Sequence, residues 1–426
     1  MAVQTTVMSP RLAALLADPS PTASAALLRE VHERGGPLVD PLQGVVDPRG
    51  VPCSRVTFLY ETAGADSMSI GTPLNDAHPH EAMERVPGTD LWWAVRIAAD
   101  DIRVTYQFCA DDPLLDLDFD KLSLESVLTM LEERFPRTAA DPANPARIRP
   151  YAGRWNAPPE YWLSVLTLSR TPPDPWHDRR PEVPAGSVER EPVESRILGN
   201  ERQLSVYTPP GYRPDGGPYP LVVLLDGREF HRVVDAPTVV DNLVAEHRIR
   251  PPVLAMVENA TELSRFSEYF CNASFTEFLA DELLPWVRAR YEGVASDAGS
   301  VVVGGVSAGG LAAAHAGWSR PDTFGAVISL SGAFFYAKPD DVEAEWLTRQ
   351  IAAAERRPVR WWTNIGVLER KPIADAHVTM VGSNRHLRTV LAAKGYDIRY
   401  SEYSGGHDYA SWRAALPQAL VDLLGT

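Results

Sequence analysis

The segment that most constrains the fold of this chain is an apolar run that passes through a glycine-flanked serine into a helix-forming stretch. Residues 301–314 read VVVGGVSAGGLAAA. The β-branched residues predict a strand, the alanines predict a helix, and the turn between them has the spacing Gly-x-Ser-x-Gly. A residue at so tight a turn takes strained backbone angles, and Gly305 and Gly309 leave room for the backbone. We therefore predict that Ser307 projects its hydroxyl clear of the sheet as a nucleophile.

The N-terminal part of the chain has a different pattern. Residues 9–34 carry leucines at near-helical spacing, which predicts one or two helices that cap the domain after them. From Cys53 onward, short aromatic and β-branched runs lie between turn residues, at 56–60, 91–97 and 104–109. Such runs predict an all-β sandwich.

Two proline-rich stretches, at 141–145 and 171–176, are typical of linkers. We therefore predict three regions: a β-sandwich domain with its leading helices at 1–150, a linker at 151–187, and a catalytic domain at 188–426.

From about Val188, predicted strands and helices alternate, which indicates a largely parallel sheet covered by helices. The predicted strands are 194–198, 202–208, 220–225, 253–257, 300–304, 326–330, 359–365 and 397–403. The predicted helices are 238–247, 273–291, 311–320, 340–355 and 378–394. Together with the glycine-flanked serine, this order predicts an α/β-hydrolase domain.

A serine hydroxyl is a weak nucleophile at neutral pH and needs an adjacent base. In an α/β-hydrolase the base follows the last strand, and here that strand opens into Ser-Gly-Gly-His-Asp, which presents His407. Five other histidines lie on predicted helices or in the β domain, which makes them weaker candidates: His315, His377, His386, His78 and His80. His407 is therefore the predicted base.

The acid of a catalytic triad is expected between the serine and the histidine in chain order, after the strand at 359–365. Glu369 follows that strand at once and is the first candidate, and Asp375 is the alternative a few residues on. Asp408 is adjacent to His407 in sequence, which makes a good side-chain hydrogen bond to the imidazole ring awkward.

An oxyanion hole needs two backbone donors. The N–H of Ala308 lies at a predicted helix N-terminus, where partial positive charge stabilises a developing oxyanion. The second donor is expected after the strand at 220–225, where the sequence continues Asp-Gly-Arg. Gly227 permits close approach of the backbone, so the N–H of Gly227 or Arg228 is the candidate.

Composition argues against several functional classes. Apolar residues make up 45% and charged residues 23% of the 426 residues, and no segment approaches the ~20 apolar residues of a membrane span. A net charge of −15 argues against nonspecific binding to nucleic acid or anionic membranes. The three cysteines lie far apart without metal-ligand spacing, and residues 1–18 lack the pattern of a signal peptide. We expect a cytoplasmic protein with a small-molecule partner and no metal or other cofactor.

Taken together, these residues resemble the siderophore esterases of the enterochelin (enterobactin) esterase type, within the esterase-D-like α/β-hydrolases. The resemblance spans most of the chain. It is carried by MERVPGTDLW at 83–92, DPANP at 141–145, LDG at 225–227, ELLPW at 282–286, GVSAGG at 305–310 and GGHD at 405–408.

The resemblance implies an N-terminal early-set immunoglobulin-like domain and a catalytic domain that hydrolyses the esters of a catecholate trilactone, with iron as part of the substrate. It also implies a basic pocket for this anion, with Arg228 and Arg265 as candidates for substrate contact. Arg265 to Glu268 looks like the family's R-x-x-E segment, which assigns Glu268 to substrate binding as well. Two positions depart from the family pattern: Tyr269, where leucine is usual, and the small Ala308. Some members of this family act with serine and histidine alone.

Two alternatives stay open at the level of sequence. The same chemistry could serve an esterase, acyltransferase or cyclase that acts on another natural-product lactone or a sugar ester. The second alternative is a binding protein and not an enzyme: the β domain binds carbohydrate or a partner protein, and the hydrolase core is a non-catalytic scaffold. Trp92 and Trp93 could form such a binding platform, although tryptophans on a β-sandwich more often fill its core. The presence of both Ser307 and His407 argues against a scaffold.

Overall fold

The computed structural model describes residues 8–75, 80–115, 117, 124–149, 161–373 and 378–426. The chain forms two compact units. The N-terminal unit comprises the chain up to Pro173 together with Ser404–Ser411, and the catalytic unit comprises Asp174–Tyr403 and Trp412–Thr426.

The N-terminal unit begins with helices α1 (Pro10–Ala17) and α2 (Pro21–Arg34). Each starts at a proline, and the hydroxyls of Ser9 and Ser20 accept hydrogen bonds from the N–H groups of the first helical turns. Three of the leucines that predicted these helices, Leu12, Leu15 and Leu27, are buried in one cluster with Trp93 of the β domain, and Leu16 and Leu28 pack against that cluster. The helices therefore cover the domain that follows them, as predicted.

Ten strands follow in the described part of this unit. They are β1 (Leu38–Val46), β2 (Pro52–Glu61), β3 (Met68–Gly71), β4 (His80–Ala82), β5 (Glu84–Arg85), β6 (Leu91–Ala99), β7 (Arg103–Ala110), β8 (Thr138–Ala139), β9 (Arg147–Ile148) and β10 (Leu163–Thr167), with helix α3 (Leu124–Arg134) between β7 and β8. They form one sheet in the order β1-β2-β6-β5 and another in the order β4-β3-β7-β10-β9, with β8 also on β7.

Aromatic side chains join the two sheets of the sandwich. The rings of Phe58 and Tyr106 lie 5.0 Å apart, and those of Tyr60 and Phe108 lie 4.7 Å apart. Trp92 and Trp93 are only 5% and 8% exposed, so both are buried and neither forms a surface platform. Trp93 packs in the cluster that the two leading helices cover. The predicted all-β sandwich is therefore present.

The boundary of the N-terminal unit differs from the one predicted at residue 150. Strand β10, predicted as linker, pairs with β7 through Ser164↔Tyr106, and the buried Ser164 hydroxyl accepts the N–H of Asp141 at 2.8 Å. Because β10 completes a sheet of the sandwich, the unit extends to Pro173, at the second proline-rich stretch.

The strands of the catalytic unit are β11 (Ser187–Ser195), β12 (Asn200–Thr208), β13 (Leu221–Leu225), β14 (Val253–Val257), β15 (Val301–Val306), β16 (Ala326–Leu330), β17 (Arg360–Gly366), β18 (Pro372–Ile373), β19 (Val378–Thr379) and β20 (Ile398–Tyr403). Its helices are α4 (Gly227–Arg232), α5 (Ala236–Ala245), α6 (Glu262–Tyr269), α7 (Ala273–Glu277), α8 (Leu284–Arg290), α9 (Ala308–Ser319), α10 (Trp346–Ala353), α11 (Met380–Ala393) and α12 (Tyr409–Leu424). A π-helical turn at Phe278–Leu283 joins α7 to α8, so the predicted helix 273–291 is helical but interrupted.

Eight strands form one sheet in the order β11-β12-β14-β13-β15-β16-β17-β20, which is the predicted sheet of an α/β-hydrolase. Strand β12 is antiparallel to both of its neighbours, β11 and β14, and the strands β14, β13, β15, β16, β17 and β20 run parallel to one another. Every residue of the central strands β13, β14, β15 and β16 is buried, as expected where helices cover both faces. In the part of the chain that the structure describes, no helix is both long and apolar enough to cross a membrane.

Candidate active site

Ser307 lies at the predicted strand-to-helix turn, between the end of β15 and the start of α9. Its backbone angles are φ 56° and ψ −122°, a conformation that non-glycine residues rarely adopt. The neighbouring structure holds it there, because its N–H donates to the Leu330 carbonyl at 2.9 Å and its carbonyl accepts the N–H of Ala333 at 3.1 Å. A Cβ at Gly305 would lie 2.4 Å from the Gly309 carbonyl oxygen, so this turn requires glycine.

The two predicted oxyanion donors lie at the same edge of the sheet. Strand β13 pairs in parallel with β15, through Leu224↔Gly304, so the helices that follow these strands begin at neighbouring positions. Helix α9 begins at Ala308, and α4 begins at Gly227 directly after Asp226, whose φ is 61°. A Cβ at Gly227 would lie 2.2 Å from the carbonyl carbon of Met256, so glycine is required where this loop passes β14. The role of Gly227 or Arg228 as an oxyanion donor stays a prediction.

A buried ion pair supports the loop before Gly227. The Nε and Nη2 atoms of Arg265 donate to Oδ1 and Oδ2 of Asp226 at 2.7 and 2.8 Å. Asn259 Nδ2 donates to the same Oδ1 at 2.9 Å, and the N–H of Asp226 donates to the Tyr269 hydroxyl at 3.0 Å. Tyr269, where the resembling family usually has leucine, thus contributes a hydrogen bond to this loop.

Of the three residues predicted to contact substrate, Arg265 and Glu268 are buried and Arg228 is partly exposed. Arg265 is 8% exposed and its guanidinium is engaged with Asp226, while Glu268 is 5% exposed and accepts hydrogen bonds from Arg202 at 2.8 and 2.9 Å. Both are therefore parts of buried ion pairs, and their assignment to substrate contact stays a prediction. The side chain of Arg228 is 35% exposed, with Nε 3.8 Å from Glu258 Oε2.

Glu369, the first candidate for the acid, is 7% exposed and lies just after β17. Its Oε1 accepts hydrogen bonds from the Ser331 hydroxyl at 2.6 Å, the Gly366 N–H at 2.9 Å and the Tyr403 hydroxyl at 3.2 Å. The Trp412 Nε1–H donates to the Ser331 oxygen at 2.9 Å. These contacts hold the carboxylate in one orientation, which is what a triad acid requires. The alternative Asp375 lies outside the described residues.

Ser331, Tyr403 and Trp412, which support Glu369, were not predicted from the sequence. Ser331 and Tyr403 stand at the carboxyl ends of β16 and β20, where polar residues of an α/β sheet often belong to the site, so their positions carried a signal. Trp412 lies inside α12, and nothing in its sequence context points to Ser331.

His407 lies between β20 and α12, in the segment Ser404–Ser411 that groups with the N-terminal unit, and it is exposed. His315 is buried instead, with Nδ1 3.0 Å from the Thr276 hydroxyl, and burial lowers its pKa to about 4. His80 has Nδ1 3.6 Å from Asp112, and His386 pairs with Glu345. His78 and His377 lie outside the described residues.

Comparison with known families assigns the catalytic unit. Residues 195–423, more than half of the chain, match the family described as "Putative esterase". The chain belongs to this family. Residues 55–177 match a second family, described as the N-terminal domain of enterochelin esterase. The two matches lie in the order that the sequence resemblance implied.

Individual relatives extend the likeness over both units. The chain is 29% identical to the iron(III) enterobactin esterase of Escherichia coli O6:H1, covering 83% of this chain and 84% of the relative. It is 27% identical to the iron(III) enterobactin esterase of Dickeya dadantii, covering 95% and 94%. The crystal structure of ferric enterobactin esterase from Salmonella typhimurium superposes with a TM-score of 0.74 at 24% identity, covering 94% of this chain and 98% of that one.

These matches confirm three predictions from sequence. The chain resembles the enterochelin esterases, its fold is an α/β-hydrolase domain preceded by a β-sandwich domain, and it is a carboxylic ester hydrolase.

Proposed function

We propose that this protein hydrolyses the ester bonds of a catecholate siderophore trilactone of the enterobactin type, in its ferric form, and so releases the iron. The supporting observation is that two relatives named as iron(III) enterobactin esterases match 83% and 95% of the chain, and that residues 55–177 match the N-terminal domain of enterochelin esterase. The iron belongs to the substrate in this proposal, and the protein contributes no cofactor of its own.

The proposed chemistry is acyl transfer through Ser307. His407 removes the hydroxyl proton as Ser307 Oγ attacks an ester carbonyl, and Glu369 stabilises the imidazolium that forms. The N–H of Ala308 and that of Gly227 or Arg228 donate to the oxyanion of the tetrahedral intermediate. His407 then gives its proton to the leaving serine hydroxyl of the substrate, which leaves an acyl-enzyme.

Water completes the cycle. His407 takes a proton from water as its oxygen attacks the acyl-enzyme, and collapse of the second intermediate returns Ser307 and releases a carboxylic acid. Each turnover thus consumes one water and opens one ester. A cyclic trilactone gives first the linear trimer, then the dimer and the monomer.

Product analysis tests this proposal. The wild type and Ser307→Ala are incubated with an enterobactin-like trilactone, free and iron-loaded, and the linear trimer, dimer and monomer are followed by mass spectrometry. We expect cleavage by the wild type and none by Ser307→Ala.

Three outcomes would contradict parts of the proposal. Turnover of simple aryl esters without cleavage of the trilactone would exclude this substrate and keep the serine hydrolase chemistry. Products carrying a new acyl acceptor in place of water would indicate a transferase. Full activity of Ser307→Ala would exclude the whole catalytic assignment.

A further inference from the structure

The edge of strand β7 continues beyond the end of its neighbour β3. These strands pair only from Met68↔Ala110 to Gly71↔Gln107. Successive residues of an antiparallel strand direct their N–H groups to opposite edges, so the N–H groups of Arg103 and Thr105 point to the same edge as that of Gln107. Thr105 is buried, and buried backbone donors require acceptors. This stretch of β7 therefore needs a partner other than β3.

The segment Ser404–Ser411, which we call the histidine loop, supplies those acceptors. The Ser404 carbonyl accepts the N–H of Arg103 at 3.0 Å, and Asp408 Oδ2 accepts the N–H of Thr105 at 3.2 Å. The Ser411 hydroxyl donates to the Arg103 carbonyl at 3.2 Å. The loop is thus bonded to one strand of the sandwich on both sides of His407.

Close packing adds to these hydrogen bonds. A Cβ at Gly406 would lie 2.2 Å from Cβ and 2.7 Å from Cγ of Pro73, two residues after the end of β3. On the same unit, Arg49 Nη2 donates to the Ser404 hydroxyl at 2.9 Å. The residue directly before His407 therefore lies against the sandwich with no space for a larger side chain.

Asp408, the residue directly after His407, is committed to the backbone through both carboxylate oxygens. Oδ1 accepts the N–H of Ser411 at 3.0 Å, and Oδ2 accepts the N–H of Thr105. The side chain is buried, with the residue only 7% exposed. A carboxylate in this arrangement fixes the path of the loop, because it joins the N–H of Ser411, at the end of the histidine loop, to that of Thr105 in strand β7.

We propose that the N-terminal β-sandwich positions the catalytic base, with Asp408 and Gly406 as positioning residues that hold the histidine loop on β7. This rests on the proposed role of His407. It assigns the sandwich a part in the chemical step, because a displacement of about 1 Å at a reacting group can lower a rate ~100-fold.

The test uses the full-length protein and two variants that loosen the loop differently. Asp408→Asn replaces one of the two carboxylate oxygens by an NH2 group. Only one of the two backbone N–H groups that now donate to Asp408 then keeps its acceptor. Gly406→Ala pushes the loop away from Pro73, and the double variant Gly406→Ala/Pro73→Gly removes the atoms it would strike. Asp90→Asn, in an exposed ion pair with Arg85, is the matched control for loss of a carboxylate.

Hydrolysis of p-nitrophenyl acetate gives kcat and KM, and titration of Ser307 with a fluorophosphonate normalises kcat to folded, reactive sites. We expect kcat to fall about 10- to 100-fold in Asp408→Asn and in Gly406→Ala, with KM within about twofold of wild type. The double variant should recover most of the activity that Gly406→Ala loses, and Asp90→Asn should match wild type. An aryl ester and a covalent probe make these readouts independent of the siderophore substrate.

Wild-type kcat in both loop variants, with His407→Ala inactive, would overturn the positioning role and leave His407 as the base. A slow, folded Gly406→Ala that Pro73→Gly does not restore would also overturn it. If Gly406→Ala fails to fold, Asp408→Asn decides alone. Activity retained in His407→Ala would instead refute the proposed function, so the two failures are distinguishable.

Discussion

Replacing Arg265 by methionine separates the structural role of this residue from the substrate contact that its motif suggested. Asp226 has no exposed side-chain surface, and Arg265 neutralises it through two hydrogen bonds. Removing one partner of a buried ion pair leaves an uncompensated charge, which costs ~3–5 kcal/mol. For a unit of ~150–250 residues, each kcal/mol lowers Tm by ~2–4 °C, so Arg265→Met should lower Tm by roughly 6–20 °C.

Activity should fall together with stability, because Asp226 directly precedes the oxyanion candidate Gly227. Thermal unfolding followed by circular dichroism gives Tm, and aryl ester hydrolysis gives kcat and KM. Arg320→Met is the matched control, since Arg320 also makes two hydrogen bonds to one carboxylate, that of Asp281, but at the surface. Its loss should cost no more than ~1 kcal/mol.

The double variant Arg265→Met/Asp226→Asn sharpens this test. With no buried charge left unpaired, it should be more stable than Arg265→Met alone. If Arg265→Met instead unfolds within ~2 °C of wild type and raises KM for the trilactone without changing kcat, Arg265 contacts substrate and the structural explanation is refuted.

Three further predictions concern separate parts of the catalytic unit. Gly227→Ala should lower kcat ~10²–10³-fold, because its Cβ would lie 2.2 Å from the Met256 carbonyl carbon and the loop must move; unchanged kcat would exclude this loop as an oxyanion donor. Glu369→Gln should lower kcat ~10²–10⁴-fold and Ser331→Ala should lower it less, whereas wild-type kcat in both would show that serine and histidine act alone. The pKa of His315 is about 4 in the folded protein and ~6.5 in the unfolded chain, so between these pH values the unfolded chain binds more protons. The contribution of the buried, neutral His315 to the free energy of unfolding is therefore complete above pH ~6.5 and is lost as the pH falls towards 4. From pH 7 to pH 5 this loss is about 2 kcal/mol of the free energy of unfolding. His315→Gln should remove it, so the Tm of the variant should fall ~4–8 °C less than that of the wild type over this range, whereas equal falls would contradict the assignment.

Local pattern was enough to predict much of this fold. The apolar runs identified the central strands of the catalytic sheet, since a strand covered on both faces consists almost entirely of apolar residues. The edge strand β11 was misplaced: it spans Ser187–Ser195, whereas the prediction was 194–198, because its largely polar and exposed residues give no apolar run. The turn at Ser307 was also predicted from the sequence, because few residues other than glycine fit beside so sharp a turn. The prediction for helix α10 was less accurate. The pattern predicted a helix from residue 340, but α10 begins at Trp346, directly after Glu345, whose φ of 61° is not helical.

Contacts between distant parts of the chain could not be predicted in this way. The motif of Arg265 and Glu268 suggested a basic pocket, but the structure engages both in buried ion pairs with Asp226 and Arg202. The sequence shows which residues are charged but not which residue each of them pairs with. The pairing decides whether a charged side chain can be buried.

The sequence by itself determined that Ser307, the proposed nucleophile, lies at a strand-to-helix turn, and it predicted the order of the strands along the chain and Glu369 and His407 as candidates. Each of these depends on neighbouring residues and on the chain order of the fold. Only the tertiary structure decided that Ser331 and Tyr403 orient Glu369, and that the loop of His407 is bonded to β7 about three hundred residues earlier. Hydrogen bonds of this kind join backbone and side-chain groups with no common sequence pattern, so folding alone brings them together.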